Sequence, residues 1–446
     1  MKRPGVLAMY LEFRRNMFGT WHIRTQDGVL KGIRITLTNS IAVKAIDFVT
    51  LWIIVRALSK VQYGNYAFIV SLFAIISALQ DMGINNSYIK FFNTEPVRIR
   101  YMINFVSWKL ISSIVINVVS VAVFFISTSI VKVDISFVLI MSIGAVFYTL
   151  YEFVDTHLQS TQQFRERAIY VGANYLVRLL FIVIFIVLFK SRDIRTVLYL
   201  YFGSTSIVGT VIISAWVVRH RSSVVETLSD VRTVFYPLYM WKRFYRYSLW
   251  IFISTIATVL ISRIDSLMIY NMQGASQNAD YALGVQVTGI VALLTQSITT
   301  VLRPYLFSGD RWHNIRSYIR TVSKLTLPIV VLLLGSTFIS GPLLIIFFGH
   351  RYDLTVPIVN ILICTFALDL FGNQLNLLFY HYEKHYFLTI TNYIQLILDV
   401  IMNLVLIPHY GIVAAAYNHL LIRIVGYILQ WTYLGKLSRI MAETVD

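Results

Sequence analysis

The sequence predicts an all-α polytopic membrane protein with about twelve transmembrane helices in two six-helix bundles. Three observations predict it. Long apolar runs succeed one another from roughly residue 32 to roughly residue 436, each wide enough for the ~20 residues that a bilayer core demands of a helix. Only 13% of the 446 residues are charged and 57% are apolar, with a mean hydropathy of +0.69, whereas soluble domains carry ~25% charged residues. The runs are also continuous, as in Ser112 to Ile130 and Leu179 to Phe189, which argues against a barrel of alternating ~10-residue strands.

Residues 1–33 read as a basic cytoplasmic segment. No long apolar core or small-residue cleavage site is present, so a cleavable signal is not expected. Leu7, Tyr10, Leu11, Phe13 and Met17 suit an interfacial helix, with a flexible basic tail as the alternative. The first bundle, 34–218, holds spans near 34–56, 65–88, 105–130, 135–157, 169–189 and 195–218. A basic cytoplasmic linker, 219–246, follows. The second bundle, 247–436, holds spans near 247–270, 281–303, 325–348, 354–379, 386–408 and 411–435, before a cytoplasmic tail, 437–446.

The net charge of +17 is distributed unevenly. Roughly 26 of the 38 Lys and Arg fall on one side, among them Lys2, Arg3, Arg14, Arg15, Arg219, Arg221, Arg232, Lys242, Arg243, Arg303, Arg311 and Arg316. That asymmetry is a positive-inside signal. It places both termini in the cytoplasm and removes the need for a nucleic-acid partner. The single cysteine, Cys364, excludes a disulfide within the chain.

Three residue matches recur at one offset of 218 positions: Asp47 with Asp265, Asn174 with Asn392, and Tyr63 with Tyr281. An even number of spans per half makes this a parallel repeat, with a cavity expected between the bundles.

Several short motifs appear in a fixed order. They are Arg56-Ala57-Leu58-Ser59 with Tyr63-Gly64-Asn65-Tyr66-Ala67, Gln80-Asp81-Met82-Gly83-Ile84, and His157-Leu158-Gln159-Ser160 with Phe164-Arg165. Phe347-Phe348-Gly349-His350-Arg351-Tyr352 and Asn403-Leu404-Val405-Leu406-Ile407-Pro408 with Gly411-Ile412 complete the set. Together they resemble the Wzx-type O-antigen and polysaccharide flippases. That family shares a superfamily with MATE multidrug exporters and lipid II flippases. One departure is Ala414-Ala415-Ala416, where the family usually has Gly-Ala-Ala. The motifs read as architectural, with Tyr63 and Tyr66 expected at the interface, ring in lipid and hydroxyl in water.

The resemblance implies a MATE-like two-bundle fold in the cytoplasmic (inner) membrane. It implies a secondary transporter rather than an enzyme, one that carries an undecaprenyl-diphosphate-linked oligosaccharide between leaflets by alternating access. The coupling ion would be H+ or Na+, and the partners membrane lipids, a polysaccharide polymerase and a chain-length regulator. O-antigen and lipopolysaccharide synthesis would be the context.

Charges inside the spans are costly and mark candidate sites. Lys44 lies ~15 Å along the first span from Arg34, with Asp47 on the same face. Either the two neutralise each other, or Lys44 faces a cavity with Asp47 tuning it. Arg263 and Asp265 are two residues apart and point in different directions, which makes Arg263 the foremost substrate-facing cation. Arg178 and Arg423 complete a cationic set of Lys44, Arg178, Arg263 and Arg423, suited to a diphosphate. Snorkelling or bonding to a carbonyl is the alternative for each arginine, and snorkelling is expected of Lys109, Arg303 and Lys324. Asp47, Asp265, Asp369 and Asp399 would balance charge or carry the coupling ion. Asp369, Asn373 and Asn376 form one polar stripe that lines water or binds a helix. Asn418 and His419 form a smaller cluster with Arg423, with His419 a packing residue or a proton carrier.

A cationic cavity between the bundles would thus accept the diphosphate and first sugars while the lipid tail stays in the bilayer. The rivals are a MATE-like drug exporter, a lipid II-type flippase and a membrane glycosyltransferase. No metal-ligand spacing or catalytic triad is legible for the last.

Overall fold

The computed structural model describes residues 26–92, 98–126, 133–190, 192–219, 238–296, 298–299, 315–382, 384 and 386–443. Residues 1–25 of the basic N-terminal segment, most of the linker, the loop near 311 and Arg303 lie outside the described residues, and residues 26–33 begin the first helix. Within them every regular element is helical. The first half comprises α1 (Gln26–Ala57), α2 (Lys60–Asp81), α3 (Ile84–Phe91), α4 (Arg98–Ile126), α5 (Ile135–Ser160), α6 (Phe164–Ile182, ending in a π turn at Val183–Leu188) and α7 (Ile194–Arg219). The second comprises α8 (Leu238–Gln273), α9 (Ala275–Thr288), α10 (Ile315–Phe348), α11 (Thr355–His381) and α12 (Tyr386–Glu443).

Nine of the described helices are long and apolar enough to cross a membrane. The last of these is really two arms. Its backbone leaves helical geometry at Gly411 (φ 71°, ψ −162°), a left-handed φ that glycine adopts without Cβ strain. α1 and α9, the latter extended by helical residues 291–296, supply the remaining crossings. About twelve helices therefore span the membrane, as the sequence predicts. Apolar side chains face outward along α4 and α10, with Phe338 87% exposed, as a lipid-facing surface requires.

Some boundaries move. α2 begins at Lys60 because Ser59 and Gln62 form a capping box: Ser59 Oγ accepts from Gln62 N at 3.2 Å, and Gln62 Oε1 accepts from Ser59 N at 3.0 Å. It ends at Asp81 because Met82 (φ 46°) and Gly83 (φ 71°) both turn left-handed, so the expected span 65–88 is a helix plus the short α3. α5 starts where Asp134 accepts from Ser136 N at 2.9 Å and from Arg195 at 2.9 Å. The backbone bond first, and Arg195 with it, hold the Asp134 carboxyl below the ordinary carboxylate range.

The halves meet along α2, which packs on α8 and α9. A Cβ on Gly64 would collide with the Ala275 carbonyl, so only glycine permits this approach. Asn278 donates to the Gly64 carbonyl at 2.9 Å, and Lys60 pairs with the buried Asp280 at 2.7 Å. An apolar core runs across this end from Ile54, Val55 and Tyr63 to Leu344, Phe348 and Val359.

The same end carries reciprocal arginine contacts. Arg56 reaches from the end of α1 to the Phe347 and Ile346 carbonyls at 3.0 and 3.2 Å. Arg351 reaches back from the turn after α10 to the Leu58 carbonyl at 3.1 Å and to the Val55 carbonyl. Each arginine thus satisfies final carbonyls of the other half's helix. Tyr352 stands edge-on to Tyr63, with ring centroids 6.3 Å apart. The Arg56-to-Tyr66 and Phe347-to-Tyr352 motifs are distant in sequence but build one seal. This overturns the interfacial placement of Tyr63 and Tyr66, which are 1% and 7% exposed, because Tyr352 of the opposing half packs on Tyr63, and Tyr63 and Tyr201 pack on Tyr66. Replacing Arg56 and Arg351 together by alanine is expected to open this end. A cysteine at Leu58, 1% exposed in the sealed form, should then react in a Cys364→Ser background with a bulky thiol reagent at least several-fold faster. An unchanged rate would mean that the apolar core alone holds the seal.

Lys109 does not snorkel. It is 1% exposed and donates to Glu152 at 2.7 Å and Asn85 at 2.5 Å, with Asp81 at 3.5 Å. The break after α2 lets α3 bring Asn85 beside α4 and α5, which gives the ammonium partners where water is absent. Removing one member of a buried ionic set leaves the others uncompensated, at about 3–5 kcal/mol. Lys109→Ala should therefore lower the thermal stability of the detergent-purified protein strongly; a midpoint equal to the parent's would refute the network's role.

Candidate functional site at the interface of the halves

Two of the four expected cations, Arg178 and Arg263, come within reach of one tyrosine, Tyr201. Arg178 on α6 is buried, its Nη2 donates to Thr205 Oγ1 at 3.0 Å, and its guanidinium lies 4.0 Å from the Tyr201 ring centroid and 5.2 Å from that of Tyr175. Tyr201 on α7 packs edge-on against Tyr66 of α2, 5.7 Å between centroids. From the other half, Arg263 on α8 lies within electrostatic reach of Tyr201 and shares with Tyr66 the lining of a gap of about 20 Å³ between α2 and α8–α9, room for about one water. Arg263 is half-buried, and no ion pair or hydrogen bond engages it among the described residues. Its neighbour Asp265 faces elsewhere, since residues two apart on a helix diverge.

Lys44 and Asp47 pair at 3.7 Å, both partly exposed, and Asp47 lies within electrostatic reach of Arg178 and Tyr66. The local pair is thus realised, and Asp47 links it electrostatically to Arg178. Lys44, Arg178 and Arg263 set three cations against the one acid Asp47, an excess of positive charge suited to an anion.

Asp265 belongs to a second cluster, inside the C-terminal half. It is 3% exposed and Asp399 is 0% exposed. Tyr281 donates to Asp265 Oδ2 at 2.5 Å, and Asn403 Nδ2 donates to Asp265 Oδ1 at 2.7 Å and to Asp399 Oδ1 at 3.0 Å. Asn418 Nδ2 donates to Asp399 Oδ1 at 2.8 Å, and His419 Nδ1 stands 3.2 Å from Asp265 Oδ2. Asp265, Asp399 and His419 offer ligand atoms all within 4.8 Å of one another. Asp399 Oδ2 and Asn418 Oδ1 are buried without a hydrogen-bond partner. Two carboxylates this close and this dry need positive charge between them, and the donor set fits a proton or a small hard cation. Asn418 and His419 join this cluster rather than Arg423, since Gly411 sets the second arm of α12 against α8.

Arg423 and Asp369 lie 3.8 Å apart in a third place, an open cavity of about 920 Å³ lined by α8, the segment after α9, α11 and both arms of α12. The expected stripe of Asp369, Asn373 and Asn376 lines it. The fourth cation is therefore charge-balanced and apart from the other three. The tyrosines Tyr66, Tyr175 and Tyr201 were not expected at the site. Aromatic residues are frequent in this sequence, and nothing in their spacing separates these three tyrosines beside Arg178 from the core ones.

The sequence profile of the polysaccharide biosynthesis protein family (Polysacc_synt) matches residues 29–310. No curated protein sequence matches significantly. Among solved structures the fold is similar to a lipid II flippase, MurJ, in an inward closed conformation (TM-score 0.68, 11% identity, 89% of this chain and 87% of that one). It is also similar to an inward-facing MATE family multidrug resistance transporter of the MOP superfamily (TM-score 0.69, 12% identity, 94% and 100%). A third is a MOP superfamily transporter from Pyrococcus furiosus whose binding pocket is described as reversed in polarity (TM-score 0.58, 13% identity, 94% and 98%). At these identities the likeness establishes the fold.

Proposed function

Since the chain belongs to the polysaccharide biosynthesis protein family, as a multi-pass membrane protein with the flippase and exporter fold, we propose that it moves a lipid-diphosphate-linked oligosaccharide across the cytoplasmic membrane. The observation that carries this reading is the cationic interface, in which Arg178 stacks on Tyr201 and Arg263, from the opposite half, lies within electrostatic reach of the same tyrosine. A diphosphate bound there would bridge the halves through charge-assisted bonds that neither half could make alone. The lipid tail remains in the bilayer, and an undecaprenyl chain is the expected anchor.

With basic loops and termini in the cytoplasm, the sealed end with Arg56 and Arg351 faces outward, so this form is closed to the outside. Rocking about α2 would break that seal and expose the anion to the other leaflet. Asp265, Asp399 and His419 are the proposed seat of the coupling cation, H+ or Na+, which enters as cargo. Bound there, it would supply the missing charge and link α8 to both arms of α12. A polymerase and chain-length regulator are the proposed partners on the outer side.

The test offers proteoliposomes a lipid-diphosphate-linked oligosaccharide and, in parallel, a cationic dye. Leaflet transfer of the glycan lipid is expected. Dye movement without glycan transfer would replace this reading with a drug exporter.

A further inference from the structure

We propose that the cavity inside the C-terminal half is a subsite for the uncharged sugar residues of a glycan, separate from the cationic interface. This rests on the glycan-lipid reading above and adds to it where the sugars go. The cavity, about 920 Å³, lies at the upper end of the range for small-molecule sites and exceeds what an ion or a few waters need.

Its chemistry differs from that of the interface. Arg423 and Asp369 stand 3.8 Å apart, so its two charges offset each other. An anion would find no excess of cations, and a cationic drug no excess of acid. The rest of the polar lining is amide and hydroxyl, including Asn392, Gln395 and Gln430. Gln395 and Gln430 are 2% and 3% exposed, yet each leaves its side-chain oxygen without a hydrogen-bond partner, as does Asn376. Buried acceptors in a polar cavity call for donors, and sugar hydroxyls are neutral donors in high density. Tyr427 adds an aromatic face for the apolar side of a pyranose ring.

The lining is also built to hold these groups in place. A Cβ at Gly372 would strike the Tyr427 ring, and one at Gly426 would strike the Gln395 amide. Each glycine leaves a slot that seats a lining side chain. Tyr427 is held further by donating to Asp369 Oδ1 at 2.8 Å, and Gln430 by donating to Thr391 at 3.0 Å. Fixed acceptors of this kind select a ligand by shape and hydroxyl pattern.

Purified protein in lipid nanodiscs is titrated with undecaprenyl diphosphate alone and with the lipid-linked oligosaccharide extracted from the native host. For the Gln395→Leu, Gln430→Leu double variant, affinity for undecaprenyl diphosphate should match the parent, while affinity for the glycan-bearing lipid should fall roughly tenfold or more. Unchanged affinity for both, or equal loss for both, would overturn the subsite and leave the flippase reading standing. Failure of the parent to bind either lipid would overturn the flippase reading and the subsite with it. Asn376→Cys in a Cys364→Ser background gives a second readout. Its labelling by a small thiol reagent should be slowed by the glycan-bearing lipid and not by undecaprenyl diphosphate; equal rates with both would also overturn the proposal.

Discussion

Replacing Arg263 by alanine should abolish leaflet transfer of a lipid-diphosphate-linked glycan while leaving the protein folded. Arg263 has no ion pair or hydrogen bond to lose among the described residues, so its removal breaks neither kind of bond in the fold. What it removes is an unspent charge at the junction of the halves, beside Tyr201 and opposite Arg178. A charge-assisted bond is worth about 1.5–3 kcal/mol, which corresponds to roughly 10- to 150-fold in affinity for the diphosphate. Arg263→Lys should retain part of the activity, since a point charge replaces a planar fork. Arg178→Ala should lower both transfer and stability, because Arg178 also donates to Thr205 and stacks on Tyr201. Proteoliposome transfer assays at matched reconstitution, with melting curves alongside, separate the two effects. Full transfer by Arg263→Ala would sink the cationic interface as the anion site.

The second large effect is expected at the buried acids. Asp265→Asn with Asp399→Asn should eliminate the dependence of transfer on an imposed ion gradient. Downhill exchange between leaflets would persist. The carboxylates share one amide donor, Asn403 Nδ2, and no lysine or arginine pairs with either among the described residues. A proton or small cation is therefore the missing charge, and asparagine cannot hold it. Because asparagine is isosteric and neutral, the variant should be no less stable than the parent, which sets this outcome apart from misfolding. Transfer measured with and without a proton or sodium gradient decides it. Gradient-driven accumulation surviving in the double variant would move coupling elsewhere, with Asp369 next in line.

Sequence and structure divide the problem in a physically intelligible way. Helix number, membrane residence and family are written in local properties, namely apolar run length, sparse charge and short ordered motifs. The cations Lys44, Arg178 and Arg263 stood out as candidates because charge inside an apolar run is costly and needs a reason. Their function in detail was not legible. Whether Arg423 joins them depends on its distance to Asp369, fifty-four positions away in sequence, and the structure gives the two a separate cavity. Lys109 looked like an interfacial residue because its position in a span says nothing of Glu152 or Asn85, which only the break at Met82–Gly83 brings alongside. Tyr63 and Tyr66 carried a turn motif, yet Tyr352 of a distant motif packs on the first and Tyr201 on the second. The sequence by itself determined a twelve-helix membrane protein of the polysaccharide family, because hydropathy and capping act within a few turns of helix. Only the tertiary structure decided which charges remain unpaired, because a buried charge is defined by whatever the other half of the chain sets against it.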